Sequence, residues 1–284
     1  MNIPISARAL TLSALLLCCV GAGAQTSGAD SNSRQEAPIS PDRPGFTNGS
    51  DTVAPGRVIL ESGFAQTRDR NQNGGAVTDD FPEALLRFGA TPNLELQLGV
   101  PNYNVQHGGP RGFGDAFLGA KYKFYQRGQT IASIAPGVSV PFGRRDFRSS
   151  NVLPSVLFGV DTALGKRAGF SANLTLSETQ QSGGAGANSG GSGSSSGGGM
   201  MSATRNEFTV APAASIGYNL TPKLGAFVDG YAIVPRHGPS TSVVDGGLTY
   251  LLNNNVQLDL EYGHGLGGGA SPNHFYGGGL AVRF

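Results

Sequence analysis

The chain has 284 residues, of which 45 are glycine, and its 20 basic residues nearly balance its 19 acidic ones. This balance gives no electrostatic reason to expect nucleic acid or an acidic substrate as a partner. Charged residues make up only 14% of the chain, yet no stretch beyond the first two dozen residues is long and apolar enough to cross a membrane as a helix, which excludes a helical membrane protein.

The first residues have the features of a secretory signal peptide. An apolar run at 9–20 follows a basic residue and leads to a small-residue cleavage motif that ends at Ala24. The run has about 12 residues, whereas a helical span needs roughly 20, so we predict a signal peptide at 1–24 that is cleaved after Ala24. A lipoprotein is the weaker alternative, because Cys18 follows Leu17 where a lipid-attachment site needs a small residue. Both cysteines fall in this segment, so no disulfide is expected in the mature chain.

After a segment at 25–56, which we predict to be periplasmic or associated with a barrel lumen, apolar residues alternate with polar or small ones along most of the chain. Leu94, Leu96 and Leu98 point one way, for example, and the residues between them point the other way. Alternation with a period of two predicts strands that have two different faces. Twelve strands are predicted, at 57–68, 82–90, 93–103, 113–126, 129–141, 151–163, 167–178, 206–220, 223–235, 241–252, 255–264 and 273–284.

The strand lengths and the links between strands indicate a membrane barrel. Most strands have about 9–14 residues, which is close to what a tilted strand needs to cross a bilayer. Every second link is a tight turn, and the others are longer and include a flexible Ser/Gly loop at 182–199. Outer-membrane barrels have this asymmetry, with short periplasmic turns and longer outer loops, and an even strand number puts both chain ends in the periplasm. The tight turns are Thr91-Pro92-Asn93, Arg127-Gly128, Gly165-Lys166, Thr221-Pro222-Lys223 and Asn253-Asn254-Asn255.

These observations predict an all-β fold, a transmembrane antiparallel β-barrel of twelve strands at 57–284. Unpaired backbone groups are costly in hydrocarbon, so a sheet there must close on itself. The apolar faces of the strands then form a band that meets lipid. A soluble lipocalin-like barrel is the alternative, because alternation alone would also allow the apolar faces to point inward.

Several dispersed blocks of sequence carry a family resemblance. The blocks are Asp42-Arg43-Pro44-Gly45-Phe46-Thr47, Val53-Ala54-Pro55-Gly56, a first strand with Glu61 and Gly63, Pro82-Glu83-Ala84-Leu85-Leu86-Arg87-Phe88-Gly89, Gly112-Phe113-Gly114-Asp115, Gly119-Ala120-Lys121-Tyr122, Val138 to Phe142, Asp245-Gly246-Gly247-Leu248-Thr249-Tyr250, Gln257-Leu258-Asp259 and Arg283-Phe284. Over about residues 40–284 the chain resembles a family of outer-membrane proteins named for the MetA pathway of phenol degradation and described as transporters. The resemblance implies a barrel that passes small molecules. It does not identify a substrate, because the family takes its name from the pathway.

If the apolar face meets lipid, the opposite face lines the lumen with nine acidic and four basic side chains. One interpretation is a polar passage that weakly favours cations, because rings of carboxylates raise the local cation concentration. The other is that these charges pair across a narrow interior and fill it, as side chains do in many small barrels. The predicted lumen-lining residues are Glu61, Glu83, Arg87, Glu95, Asp115, Lys121, Lys123, Asp161, Asp229, Asp245, Asp259, Glu261 and Arg283.

Arg43 lies in a proline-bounded stretch just before the first strand. We hypothesise that residues 40–55 fold into or against the lumen as a plug, in which Arg43 pairs with interior carboxylates such as Glu61 or Glu261. The alternative is an exposed linker.

The loops suggest no catalytic or metal chemistry. The four histidines fall near predicted outer loops without the spacing of a metal site, and the chain has no Gly-x-Ser-x-Gly motif. We therefore expect no metal, no cofactor and no enzymatic activity.

Arg144, Arg145 and Arg148 cluster in a predicted outer loop, where they could bind anions or lipopolysaccharide phosphates or simply be solvated.

The chain ends on Phe284, whose ring is placed on the lipid face of the twelfth strand by the alternation. A terminal aromatic residue of this kind resembles the signal that the barrel-assembly machinery reads, and a simple interface anchor is the alternative role.

The sequence predicts a bacterial outer-membrane channel that passes small molecules, including aromatic or other hydrophobic compounds, passively through a narrow barrel. A closed barrel with a structural or surface-binding role is the alternative. The expected partners are outer-membrane lipid, lipopolysaccharide, the assembly machinery and the small-molecule cargo.

Overall fold

The computed structural model describes residues 37–69, 76–181, 205–267 and 272–284. Regular structure in these ranges is β-strand, and no helix in them is long and apolar enough to cross a membrane. The predicted signal peptide and the Ser/Gly loop lie outside the described residues. The strand segments are β1 (Val58–Asp69), β2 (Val77–Phe81), β3 (Leu85–Thr91), β4 (Leu94–Gly99), β5 (Tyr103–Gln106), β6 (Arg111–Phe113), β7 (Ala116–Arg127), β8 (Thr130–Val140), β9 (Leu153–Ala163), β10 (Ala168–Gln181), β11 (Arg205–Asn219), β12 (Leu224–Pro235), β13 (Thr241–Asn253), β14 (Val256–Gly267) and β15 (Pro272–Arg283).

The segments form one antiparallel sheet that closes on itself. Neighbouring segments are hydrogen-bonded around the barrel, and the last segment, β15, returns to β1 over eleven residue pairs. At this seam the backbone N–H of Phe284 donates to the carbonyl of Val58 over 2.8 Å. Closure pairs the first and last strands, so the sheet has no open edge at this seam, as a sheet in hydrocarbon requires.

Three of the barrel strands are interrupted. Residues 82–84 separate β2 from β3, which both pair with β1, and residues 100–102 and 114–115 similarly separate β4 from β5 and β6 from β7. The fifteen segments therefore make twelve barrel strands, which confirms the predicted fold and strand number. The predicted strands ran across these interruptions, and the second strand begins at Val77 rather than at residue 82.

Each interruption shifts the inward face of its strand by one residue. Asp80 faces the lumen before the first interruption and Arg87 faces it afterwards, and the same change of parity separates Glu95 from Asn104. An extra residue in one strand has this effect, because successive side chains alternate between the two faces. The three interruptions are side by side in the wall, since the strands that contain them are neighbours.

The outward face of the barrel is apolar. Leu96 and Leu98 have 47% and 42% of their surface exposed, whereas Glu95 and Gln97 on the opposite face are buried. The apolar side chains therefore point away from the lumen, as a lipid-facing band requires and a lipocalin-like barrel does not. Exposed aromatic rings lie near both ends of the strands, where outer-membrane barrels have interfacial girdles. They include Phe124, Tyr218, Tyr250 and Phe284 toward one end and Phe208 and Tyr276 toward the other.

The links differ between the two ends of the barrel. At the end that also holds the start of β1 and the end of β15, called here the turn side, the five links have two to four residues and coincide with the five predicted turns. At the other end, the loop side, the links range from four residues at 107–110 to 23 residues at 182–204. The asymmetry is less regular than predicted, because the links 107–110 and 268–271 are as short as some turns.

Candidate functional site

A stretch of chain that precedes the first strand, residues 37–56, lies inside the barrel and is called here the inner segment. Four prolines and three glycines interrupt it, so it forms neither a helix nor a central strand. Ile39 and Val53 pack in a buried cluster with Ile59 and Ala281 of the barrel wall. The inner segment is thus anchored near both of its ends by apolar contacts with the strands at the seam.

The inner segment is held along its length through its backbone. Among the described residues, seven of its amide N–H groups donate to wall side chains. Two of these bonds go to Glu61, which accepts the amides of Asp42 and Arg43 at 3.0 and 2.9 Å. A chain outside regular structure needs acceptors for its amides, and carboxylates form strong, charge-assisted bonds with them. The other pairs are Gly45 with Glu261, Thr47 with Asp229, Asn48 with Asn173, Ser50 with Asp161 and Val53 with Glu95, at 2.6–3.0 Å.

Arg87 and Lys121 neutralise the most buried carboxylates. Arg87 forms a bidentate pair with Glu95 at 2.8 and 2.9 Å, and its third nitrogen donates to Glu61 at 2.9 Å. Lys121 donates to both carboxylate oxygens of Asp42, at 2.9 and 3.0 Å. Arg87 and Lys121 are each 1% exposed and Glu61 and Glu95 are fully buried. This group of charges joins the inner segment to the first four barrel strands.

Arg43 reaches a different part of the wall. Its guanidinium donates to Glu83 at 2.8 Å and to Asp259 at 3.4 Å. The sequence suggested that the side chain of Arg43 pairs with Glu61 or Glu261. Instead, Glu61 accepts the backbone amide of Arg43, and Glu261 accepts the backbone amide of Gly45. Burial alone would lower the pKa of Arg43, yet Glu83 and Asp259 raise it above its usual value, so the guanidinium stays charged.

Three of the predicted lumen residues lie away from this network. Asp115 accepts the backbone amide of Ser149 at 3.0 Å, which ties the loop between β8 and β9 to the wall. Lys123 pairs with Asp51 at 2.7 Å, and Arg283 donates to a carbonyl of the inner segment at 2.9 Å. Arg283 is the last residue of β15, at the turn-side mouth of the barrel, whereas Lys123 is four residues from the turn-side end of β7.

A cavity of about 100 Å³, called here the central cavity, lies between the inner segment and the wall. Four aromatic side chains, those of Phe46, Phe117, Tyr231 and Phe275, are part of its lining. The rings of Phe46 and Tyr231 are stacked with their centroids 4.1 Å apart. Asp245 is part of the polar lining. An amphipathic ligand would meet both aromatic rings and polar groups here.

The strand interruptions shape the central cavity. Ala84, Val100, Asn102 and Asp115 all come from the interrupted positions, and all four line the cavity. Bulges bend a strand and redirect its side chains. Three of them in neighbouring strands therefore reshape the wall beside the inner segment.

A second cavity of about 430 Å³, the turn-side cavity, lies at the turn-side end of β9 to β13. Pro44 lines both cavities, so the inner segment forms the partition between them. The partition is tight, because a Cβ atom added to Gly45 would lie 3.1 Å from the ring of Phe227. Phe227 faces the turn-side cavity.

The loop-side charges form separate, local pairs. His237 contacts Glu207 at 3.0 Å, and His107 contacts Asp79 at 2.8 Å. Within the described ranges, no group of three or more His, Cys, Asp or Glu side chains is placed to hold a metal ion. The side chains of Arg144, Arg145 and Arg148 are exposed on the loop between β8 and β9, and Arg144 pairs with Asp146.

Comparison with protein families accounts for most of the chain. Residues 41–284 match the model of the family described as "Putative MetA-pathway of phenol degradation". The chain belongs to this family. The match confirms the resemblance read from the sequence, and it includes most of the inner segment together with every barrel strand.

Solved structures with a similar fold are outer-membrane porins and channels. The COG4313 outer membrane channel from Pseudomonas putida F1 has a TM-score of 0.58 at 13% identity, over 83% of this chain and 98% of that chain. The NanC porin has a TM-score of 0.53 at 10% identity, over 79% and 98%. The KdgM porin in complex with disordered oligogalacturonate has a TM-score of 0.50 at 11% identity, over 80% and 99%. At these identities the likeness concerns the fold alone. No curated protein matches the chain.

The sequence analysis did not predict the aromatic side chains that line the central cavity. Phe117 and Phe275 occupy inward positions in strands whose outward positions are also apolar, so alternation hides them. Glycines in the neighbouring positions could have indicated these inward aromatic rings. Phe275 is opposite Gly263 in the register of β14 and β15, and Phe117 lies over Gly119. Aromatic rings commonly cover glycine in this way in β-sheets.

Proposed function

We propose that this chain is an outer-membrane channel through which small molecules pass passively, without cofactor or covalent chemistry. The observation that carries the proposal is that Pro44 lines both the central and the turn-side cavity. The two cavities are successive chambers along one barrel, with a thin partition of chain between them. A permeant would need only a small local displacement around Pro44 and Gly45 to move from one chamber to the other.

The cargo that fits best is small and partly apolar, such as an aromatic compound. Phe46, Phe117, Tyr231 and Phe275 give the central cavity an aromatic lining beside its polar groups. Rings of this kind bind planar apolar groups by offset or edge-to-face stacking. The family description, which names phenol degradation, is in keeping with such cargo. Large hydrophilic solutes are disfavoured, because the inner segment occupies much of the lumen.

The proposed orientation places the turn side in the periplasm and the loop side at the cell surface. It follows from the usual asymmetry of outer-membrane barrels and from export by a signal peptide that is cleaved after Ala24. The aromatic residues near both ends would then lie at the two lipid interfaces. Arg144, Arg145 and Arg148, next to the exposed ring of Phe142, would then be able to bind lipopolysaccharide phosphates.

Widening the partition is expected to speed permeation. Phe227→Ala removes the ring that faces Gly45, so purified barrels in liposomes should admit small solutes several-fold faster in a swelling assay. The matched control is Phe158→Ala, which removes a lipid-facing ring that is 42% exposed and should leave the rate unchanged. A well-folded Phe227→Ala barrel that passes nothing would contradict the channel and favour a closed barrel with a structural or surface-binding role.

Removal of Phe284 is expected to impair assembly without changing selectivity. The ring of Phe284 is 63% exposed on the outer face, where it can be read by the barrel-assembly machinery or anchor the interface. Its backbone also bonds with Val58 across the seam. We expect the truncated chain to give much less heat-modifiable barrel in outer-membrane fractions, and Phe284→Tyr to give a normal amount. Normal insertion of the truncated chain, or altered selectivity of the barrels that do assemble, would refute this role.

A further inference from the structure

Two polar side chains that line the central cavity have no hydrogen-bond partners within the described part of the chain. Asp245, on the inner face of β13, is 4% exposed, and neither of its carboxylate oxygens has a partner among the described residues. Tyr231, on the neighbouring β12, is 5% exposed, and its hydroxyl likewise has none. Buried polar groups are nearly always hydrogen-bonded, because an unpaired one loses its bonds to water without replacement. An unpaired carboxylate and an unpaired hydroxyl in one cavity therefore point to a ligand.

The neighbouring charges indicate which kind of ligand fits. Asp229 is directly opposite Asp245 in the register of β12 and β13, and Glu261 also lines the cavity. Both of these carboxylates accept amides of the inner segment, and those amides carry no net charge. Arg43, the cation in the cavity lining, is already bonded to Glu83 and Asp259. The side of the cavity around Asp245 consequently has an excess of acidic groups, which favours a cation and opposes an anion.

The aromatic rings favour the same ligand. Phe46 and Tyr231 are stacked, and Phe275 is 2% exposed with its ring also in the lining. Aromatic faces attract organic ammonium groups, and the attraction strengthens where water is excluded. A cavity of about 100 Å³ is smaller than the roughly 150 Å³ that encloses benzene. It can therefore hold an ammonium group and its first carbons, while the rest of the molecule extends along the lumen.

We propose that the central cavity is a binding site for organic ammonium compounds with a small aromatic or alkyl body, in which Asp245 accepts from the ammonium group and Phe46, Tyr231 and Phe275 surround it. This inference rests on the proposed channel function and specifies the cargo of the same cavity. An ammonium group has three donors, so it can satisfy both oxygens of Asp245 and the oxygen of Tyr231 together. A neutral alcohol of the same shape has one donor, and a carboxylate has none.

Isosteric probes and a matched pair of carboxamide variants test the site. We expect benzylammonium to bind the purified barrel at least about tenfold more tightly than benzyl alcohol in calorimetric titrations at neutral pH, as one charge-assisted hydrogen bond would produce. Benzoate should bind most weakly. Asp245→Asn should remove the preference for the ammonium compound, chiefly by weakening the binding of benzylammonium.

The control is Asp80→Asn. Asp80 is also a buried carboxylate without hydrogen-bond partners among the described residues, at 3% exposure, and it is outside the lining of the central cavity. The preference for benzylammonium should survive this change. Tyr231→Phe should weaken benzylammonium binding by a smaller factor, which keeps the test valid if Asp245→Asn does not fold. Equal binding of benzylammonium and benzyl alcohol, or an unchanged preference in both cavity variants, would overturn the site.

Permeation separates this inference from the channel itself. If small hydrophilic solutes cross the liposome membrane through the barrel but no preference for benzylammonium is found, the cation site is wrong and the channel stands. If benzylammonium binds in an Asp245-dependent manner but no solute crosses, even with Phe227→Ala, the site stands and the channel is wrong.

Discussion

Barrels with Arg87→Met are expected to be less stable than the native barrel by about 3–5 kcal/mol, the usual effect of removing one partner of a buried ion pair. Methionine keeps an unbranched apolar stem but lacks the guanidinium, so the change removes the charge, its donors and the volume of that group. Glu61 and Glu95, both fully buried, would then lose the guanidinium that bonds to each of them. Urea unfolding of the purified barrel in lipid vesicles, followed by heat-modifiable mobility, measures the loss.

Lys123→Met is the matched control for Arg87→Met. Lys123 also pairs with an acidic residue of the inner segment, but its partner Asp51 has 49% of its side chain exposed. Ion pairs of this exposed kind contribute roughly 0–1 kcal/mol, so Lys123→Met should be nearly neutral. Equal losses in the two variants would mean that the Arg87 network does not stabilise the barrel through its buried charges.

The fold was predictable from the sequence because apolar and polar residues alternate along a strand that has an apolar outward face and a polar inward face. Leu96 and Glu95, for instance, point to opposite faces as the alternation requires. The strand interruptions were missed for a related reason. At each one, the inward residues change between even and odd positions. A prediction that assumes one continuous alternation through Glu83 or Asp115 does not detect this change. Counting parity separately before and after Pro82 would have located the first interruption.

The lumen was only partly predictable. Acidic residues such as Glu61 and Asp229 were assigned to the interior, where the structure places them, but the sequence suggested either a passage that favours cations or mutual pairing. Many of these carboxylates instead accept backbone amides of the inner segment. Backbone amides are present at every residue except proline, so a sequence gives no pattern by which such a partner could be recognised. Asn173 was overlooked for the same reason, since its partner is the backbone of Asn48.

Displacing the inner segment is expected to open the barrel to hydrophilic solutes. Deletion of residues 37–52 removes the chain that forms the partition and should raise the single-channel conductance in planar bilayers several-fold, because side chains alone would then fill the lumen. The deletion also leaves Glu61, Asp229 and other carboxylates without their amide donors, so the deleted barrel should unfold at lower urea concentration.

Gly89→Val tests the same displacement without deleting any residue. A Cβ atom at Gly89 would collide with the backbone carbonyls of Val53 and Ala54, so the side chain must push that end of the inner segment out of place. Gly217→Val is the matched control, because an added Cβ at this wall glycine, which lines the turn-side cavity, meets nothing within 4 Å. We expect a larger current with Gly89→Val and an unchanged or slightly smaller one with Gly217→Val. Equal currents in both variants and the native barrel would mean that the inner segment does not control passage.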